Sequence, residues 1–206
     1  MRRTHYEVIL LKIPEILGLL LSWFVITLCF SLWTLFDSPD LFLSVFLLVG
    51  SSAGLGFLLH ELAHRSTAKR YGCHAYYNVW LLGIILALIM SVVTRGNVIF
   101  AALGAVYIVP MMTAPSLDVN AMKKVFGVIS LSGPAMNLLL VAFFFAISNL
   151  GGVFSLLGLY GMRINLWLAA FNLIPIPPFD GYKVFSWSKV IWALFALPSW
   201  VLVLFM

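Results

Sequence analysis

A long apolar run at residues 41–64 carries no charged residue until its last turn, where it ends in the sequence His-Glu-Leu-Ala-His. Its length matches the roughly 20 residues that an α-helix needs to cross a bilayer. On a helix, residues four positions apart share one face, so His60 and His64 can bind one metal ion together. Glu61 is placed to reach a water molecule beside that ion. Ionisable groups inside an apolar segment are costly, so they usually serve a function.

Zinc is the expected ion, because imidazole and carboxylate groups form a common catalytic zinc set. The predicted cofactor is a single Zn²⁺ bound by His60 and His64. Two alternatives to a metal site stay open at this point. A five-residue pattern can arise by chance, and a histidine pair at a helix end can simply face lipid headgroups or water.

The chain as a whole has the composition of a membrane protein. Of its 206 residues, 63% are hydrophobic and 9% are charged, whereas soluble domains have about 45–50% and about 25%. This predicts an all-α polytopic protein with about six transmembrane helices. The whole chain, residues 1–206, is then a single transmembrane domain. The net charge of +5 is spread over short loops, which indicates membrane topology rather than nucleic-acid binding.

Hydropathy divides the chain into several spans. The clear ones cover residues 14–36, 41–64, 125–147, 162–176 and 187–205. The catalytic core is expected at about residues 41–181, with flanking helices at 14–36 and 187–205. Residues 79–109 are apolar but are interrupted by a turn at 95–97. They predict either two short helices or a membrane-embedded β-hairpin or re-entrant segment near residues 79–115, which periodicity alone does not separate.

The basic residues predict which ends of the spans meet. Positive charge marks the cytoplasmic side, so Arg2, Arg3 and Lys12 place the N-terminus there. An even number of crossings within residues 79–109 keeps four later lysines on the same side. The span at 162–176 then ends at the face that holds His64, which brings Asp180 to that depth. Asp180 is therefore the predicted third metal ligand, and the site is expected at the cytoplasmic face of the cell membrane.

Asp180 also has a purely structural alternative, and it has a rival. It precedes Gly181, and Asp-Gly is a common turn pair. Asp118 is a second acidic candidate, although it lies in a loop before a span. Three prolines at positions 175–178 exclude regular helix just before Asp180. Irregular backbone at membrane depth is tolerated where it lines protein or a watery cavity, as a hydrolytic site requires.

Three motifs together resemble the site-2 protease family of intramembrane zinc metalloproteases. They are H-E-x-x-H at positions 60–64, G-P-x-x-N at 133–137 and N-x-x-P-x-P-x-x-D-G at 172–181. The resemblance implies that His60, His64 and Asp180 bind zinc and that Glu61 is the general base. It also implies that Asn137 helps to hold or polarise the substrate carbonyl. A helix–helix hydrogen bond is the alternative for that asparagine.

The resemblance further implies membrane-embedded strands within residues 79–109, whose free edge holds an unfolded substrate segment by main-chain pairing. Asn172 is expected to bond to backbone groups near the prolines. The implied function is hydrolysis of peptide bonds within or near transmembrane segments of membrane proteins in the lipid bilayer, with no nucleic-acid partner. The alternative is a metal-ion transporter that uses the same His, Asp and Glu side chains.

Overall fold

The computed structural model describes residues 13–110 and 118–205. Within them the chain forms eight α-helices and two β-strands, with a short 3₁₀ turn at Pro39–Leu41. In chain order they are α1 Glu15–Ser31, α2 Thr34–Asp37, α3 Phe42–Arg70, β1 Cys73–Val79, α4 Leu81–Val93, β2 Gly104–Pro110, α5 Val119–Ser148, α6 Gly152–Asn172, α7 Asp180–Trp187 and α8 Lys189–Leu204. The basic residues Arg2, Arg3 and Lys12 lie outside the described residues.

Four segments of the described chain are long and apolar enough to cross a membrane. They are Glu15–Asp37, Pro39–Arg70, Val119–Ser148 and Gly152–Asn172. Helices α4 and α8 are also apolar, but they have only 13 and 16 residues, less than the roughly 20 that a span needs. The four long helices support the prediction of a helical membrane protein. The predicted number of about six spans is not confirmed.

The helix before Asp180 differs in its bounds from the predicted span at 162–176. Helix α6 already begins at Gly152 and ends at Asn172. The early end follows from the prolines at 175–178, whose rings cannot be accommodated in continuing helix. The early start reflects a stretch of apolar residues without charge, in which hydropathy marks no boundary.

The segment between α3 and α5 combines the two structures that the sequence allowed. Strands β1 and β2 pair antiparallel, in a register that runs from Cys73 opposite Pro110 to Val79 opposite Gly104. Helix α4 lies between them in the chain, so the strands are not joined by a tight hairpin turn. The first strand lies upstream of the region in which a hairpin was expected. Residues 111–117, also within that region, lie outside the described residues.

Helix α3 is the centre of the packing, because α1, α5 and α6 all pack against it. Its contact with α1 includes the indole of Trp23, whose Nε1 donates to the Gly50 carbonyl at 2.9 Å. Ile26, Val49 and Phe57 belong to the buried apolar cluster at this interface. The C-terminal half of α3, which carries the His-Glu-Leu-Ala-His sequence, is thereby enclosed by protein on several sides.

Candidate metal centre

Three side chains from two distant parts of the chain converge at one point, with His60 and His64 on α3 and Asp180 on α7. The Nε2 atoms of His60 and His64 lie 3.0 Å apart. Oδ2 of Asp180 lies 3.0 Å from Nε2 of His64 and 3.4 Å from Nε2 of His60. Both histidines are buried. The three donor atoms, one from each side chain, all lie within 4.8 Å of one another, which is close enough for all of them to bind one metal ion.

This spacing fits a zinc ion. Donor atoms about 2.1 Å from a tetrahedral ion lie roughly 3.4 Å from one another, close to the three separations in the cluster. Three protein ligands also match a catalytic zinc site, in which the fourth position is open to water or substrate. The donor set and its geometry therefore suit the ion that the sequence predicted.

The second ring nitrogen of each histidine is also held. Nδ1 of His64 lies 2.7 Å from the carbonyl oxygen of Ile129, and Nδ1 of His60 lies 2.5 Å from Oδ1 of Asn137. A carbonyl oxygen only accepts hydrogen bonds, so each Nδ1 carries the proton. Each Nε2 is then left unprotonated toward Asp180, as a metal ligand must be.

Helix α5 approaches this centre at a glycine. A Cβ atom on Gly133 would lie 2.6 Å from Nε2 of His60 and closer still to Nε2 of His64. Only a residue without a side chain allows α5 to pass beside the ligand atoms at this distance. Gly133 is the first residue of the G-P-x-x-N motif, and the clearance explains why the motif begins with glycine here.

Asp180 is placed by the irregular segment after α6. It is the first residue of α7, and the segment before it is held by Trp192, whose Nε1 donates to the Leu173 carbonyl at 2.8 Å. A carboxylate at this position is a standard third ligand for catalytic zinc.

Glu61 lies beside the cluster and has an unused oxygen. Its Oε2 is buried and has no hydrogen-bond partner in the part of the chain that the structure describes. Glu61 lines the same cavity of about 50 Å³ as His60, His64 and Asp180. Since one water molecule needs roughly 10–15 Å³ of such volume, the cavity has room for a metal ion and a few water molecules.

The start of strand β2 and the three residues before it form one wall of this cavity, which residues 101–106 line. One edge of β2 pairs with β1, and the two strands form a two-stranded sheet in the described chain. The outer edge of β1 is partly covered, since the Tyr77 N–H donates to Oε1 of Glu15 at 3.1 Å. The strand that borders the cavity is therefore β2.

The remaining predicted residues have the following positions. Asn172 lines the cavity, and its Nδ2 donates to the Leu168 carbonyl one helical turn back, not to the proline-rich segment. Asp118 caps α5, with Oδ1 accepting from Asn120 N–H, and it is not part of the His–His–Asp cluster. Asn137 contacts His60, as described above. Sequence reasoning missed Asn165, which contacts Asn137 and lies outside every recognised motif.

The described residues combine four helices long and apolar enough to cross a membrane with a cluster of side chains that is able to hold a metal ion. Over 167 residues the chain is 38% identical to a protein of Methanocaldococcus jannaschii named "Putative zinc metalloprotease MJ0611". The aligned part covers 80% of this chain and 82% of that protein. The chain belongs to the family of this zinc metalloprotease. No family model matches the chain, and no solved structure matches it.

Proposed function

We propose that this protein is an intramembrane zinc metalloendopeptidase of the site-2 protease kind. It hydrolyses peptide bonds within or near transmembrane segments of membrane-protein substrates. The observation that carries this proposal is the convergence of His60, His64 and Asp180, with the unpartnered Glu61 beside them, on and around a helix of membrane-spanning length. A single zinc ion is assigned to the three ligands.

The chemistry divides between the ion and the side chains. Bound zinc supplies a Lewis acid that polarises the scissile carbonyl and makes water a stronger nucleophile. Glu61 carries out the proton transfers. Its Oε2 accepts a proton from the attacking water and then donates it to the amine that leaves. Because this oxygen has no partner among the described residues, it is free for that exchange.

The size of the cavity determines the form in which the substrate binds. An α-helix with its side chains is about 10–12 Å wide and does not fit a cavity of about 50 Å³. The amides of a regular helix are also shielded by their own hydrogen bonds. A substrate helix must therefore unwind locally, and the freed segment can pair with the edge of β2. Glu15 accepts a hydrogen bond from the Tyr77 N–H on the outer edge of β1. This contact favours β2 over β1 as the strand that pairs with the substrate.

The contacts of Asn137 favour a positioning role over direct contact with substrate. Oδ1 accepts from His60, and Nδ2 donates to the Gly56 carbonyl at 3.2 Å and to Oδ1 of Asn165 at 2.9 Å. Both amide hydrogens are thus used inside the protein. No hydrogen is left to stabilise a developing oxyanion, which is what polarising the substrate carbonyl would require.

Basic residues support an orientation with the site toward the cytoplasmic face of a cell membrane. Lys69 and Arg70 lie in the last turn of α3, beyond the two histidines, and Arg65 follows His64 directly. Lys183 lines the metal-site cavity. Lys and Arg concentrate at the cytoplasmic ends of membrane helices, so these four side chains favour that placement.

The test is cleavage by the Glu61→Gln variant. Purified wild type should cut a detergent-solubilised transmembrane peptide, whereas Glu61→Gln should bind zinc normally and lose activity by at least about 100-fold, the contribution typical of a general base. Asp40→Asn, in the turn at the opposite end of α3, serves as the matched acid-to-amide control and should cleave normally. Full cleavage by Glu61→Gln, or zinc flux into proteoliposomes without any cleavage, would contradict the proposed function.

A further inference from the structure

Two buried asparagines connect helix α6 to the metal ligand His60. Asn165 of α6 accepts a hydrogen bond from Asn137 of α5, which in turn accepts from His60 of α3. Asn137 and Asn165 are 0% exposed, and His60 is 5% exposed. Buried amides in a membrane interior are costly unless they are fully hydrogen-bonded, so this connection between three helices is a specific arrangement rather than incidental packing.

Backbone carbonyls determine which group donates and which accepts in the hydrogen bonds that link Asn165, Asn137 and His60. Nδ2 of Asn165 donates to the Gly161 carbonyl at 2.8 Å, so Oδ1 of Asn165 must face Asn137. Nδ2 of Asn137 donates to that oxygen and to the Gly56 carbonyl. A carbonyl cannot donate, so neither amide can be reversed without placing oxygen against oxygen. Oδ1 of Asn137 is thereby turned toward Nδ1 of His60.

The space for this arrangement depends on a glycine of α3. A Cβ atom on Gly56 would lie 3.1 Å from Nδ2 of Asn165 and closer still to its Oδ1. Gly56 therefore does two things, since its carbonyl accepts from Asn137 and its lack of a side chain admits Asn165. Both features act on the same two amides, one helical turn before His60.

We infer that Asn165 is a positioning residue for the metal centre, which acts through Asn137 to keep the proton of His60 on Nδ1 and its Nε2 free to bind metal. The inference deepens the proposed function and rests on it for the identity of the metal. Without Asn165, only the Gly56 carbonyl opposes reversal of the Asn137 amide, and reversal would turn its NH₂ group toward Nδ1 of His60. The imidazole proton would then move to Nε2, where it blocks metal binding.

His64 provides an internal comparison. It belongs to the same helix and faces the same Asp180, but its Nδ1 donates to the Ile129 backbone carbonyl. A main-chain acceptor cannot rotate as an amide side chain can. Loss of Asn165 should therefore change the protonated nitrogen of His60 and leave that of His64 as it is. General loosening of the fold would affect both histidines alike.

The experiment measures which nitrogen carries the proton, in metal-free protein. Protein labelled with ¹⁵N-histidine, with His5 and His74 replaced by glutamine, reports only His60 and His64. Asn165→Leu should show a new population of His60 protonated at Nε2 and an unchanged His64. Its zinc affinity, measured by competition with a chelator, should fall about tenfold, the lower end for residues behind a ligand. Asn165→Asp should retain the wild-type pattern, because a buried neutral acid can accept from Asn137 and donate to Gly161.

Ser91→Ala is the matched control, since it removes a buried interhelical hydrogen bond to the Cys29 carbonyl between α4 and α1. It should change neither histidine. If Asn165→Leu does not fold, Gly56→Ala displaces the same asparagine and should shift His60 alone. An unchanged His60, or an equal shift at His64, would overturn the inference. The histidine signals could change as expected while the wild-type protein binds zinc but cleaves no peptide. That combination would contradict the proposed function and leave the role of Asn165 intact.

Discussion

His64 and Asp180 are 116 positions apart in the sequence, and Nε2 of the first lies 3.0 Å from Oδ2 of the second. The contact joins the C-terminal half of α3 to the first residue of α7. Helix α6 and the proline-containing segment after it deliver Asp180 to this position, and α5 passes close by because Gly133 has no side chain. The proposed metal site therefore depends on helix packing, and changes in packing should alter metal binding.

Replacing Gly133 by alanine tests that dependence. The added Cβ would lie within 2.6 Å of both Nε2 atoms, so either the ligands or α5 must move. We expect zinc affinity to fall by more than about tenfold, the scale of changes that displace ligands, while the helix content by circular dichroism stays the same. Gly50→Ala is the control, because its Cβ would come no closer to its neighbours than 3.2 Å, the distance to a Thr27 methyl group. An unchanged zinc affinity in Gly133→Ala would contradict the close approach of Gly133 to the two histidine Nε2 atoms.

Substrate selection should follow helix stability. We expect a transmembrane peptide with a Pro-Gly pair near its cleavage site to be cut at least about tenfold faster than the same peptide with Ala-Leu. Each backbone hydrogen bond that the substrate need not break lowers the cost of unwinding by about 1 kcal/mol. Initial rates in proteoliposomes, measured by mass spectrometry, provide the comparison. A peptide with the Pro-Gly pair outside the membrane is the control. Equal rates for all three would mean that the substrate need not unwind.

The packing of α1 on α3 should contribute to stability without contributing to chemistry. Trp23→Phe removes the hydrogen bond to the Gly50 carbonyl and leaves that acceptor without its side-chain partner. The free energy of unfolding in detergent should fall by about 1–2 kcal/mol, with the cleavage rate per folded molecule unchanged. Leu20→Ala on the same helix alters a side chain that is 48% exposed and should cost less. Equal stability of Trp23→Phe and wild type would show that this contact is dispensable.

The sequence predicted the parts of the structure that have a strong local or chemical signal. Helical periodicity places His60 and His64 on one face whatever surrounds them, and the motif that contains Asp180 marked it as the third member of the cluster. Segment bounds were less predictable. The apolar run that contains α4 and β2 is too short for hydropathy to separate helix from strand, and α6 begins within an uncharged stretch that has no marked start.

Asn165 shows a different limit. A single asparagine in an apolar helix indicates a polar contact in the membrane, but the sequence does not say with which partner. The contact depends on how α6 crosses α3 and α5, and on the space left by Gly56. Asn137 belongs to a recognisable motif, yet the motif alone did not distinguish contact with substrate from contact with His60.

The zinc content of the purified protein tests most directly whether His60, His64 and Asp180 form one metal site. Elemental analysis of wild type after removal of loosely bound metal should give about one zinc per chain, as three protein ligands and one open position require. Asp180→Ala should retain almost none, whereas Asp118→Ala, which removes only the cap of α5, should match wild type. Equal zinc content in Asp180→Ala and wild type would contradict the assignment of the third ligand, and with it the active site proposed for this protein.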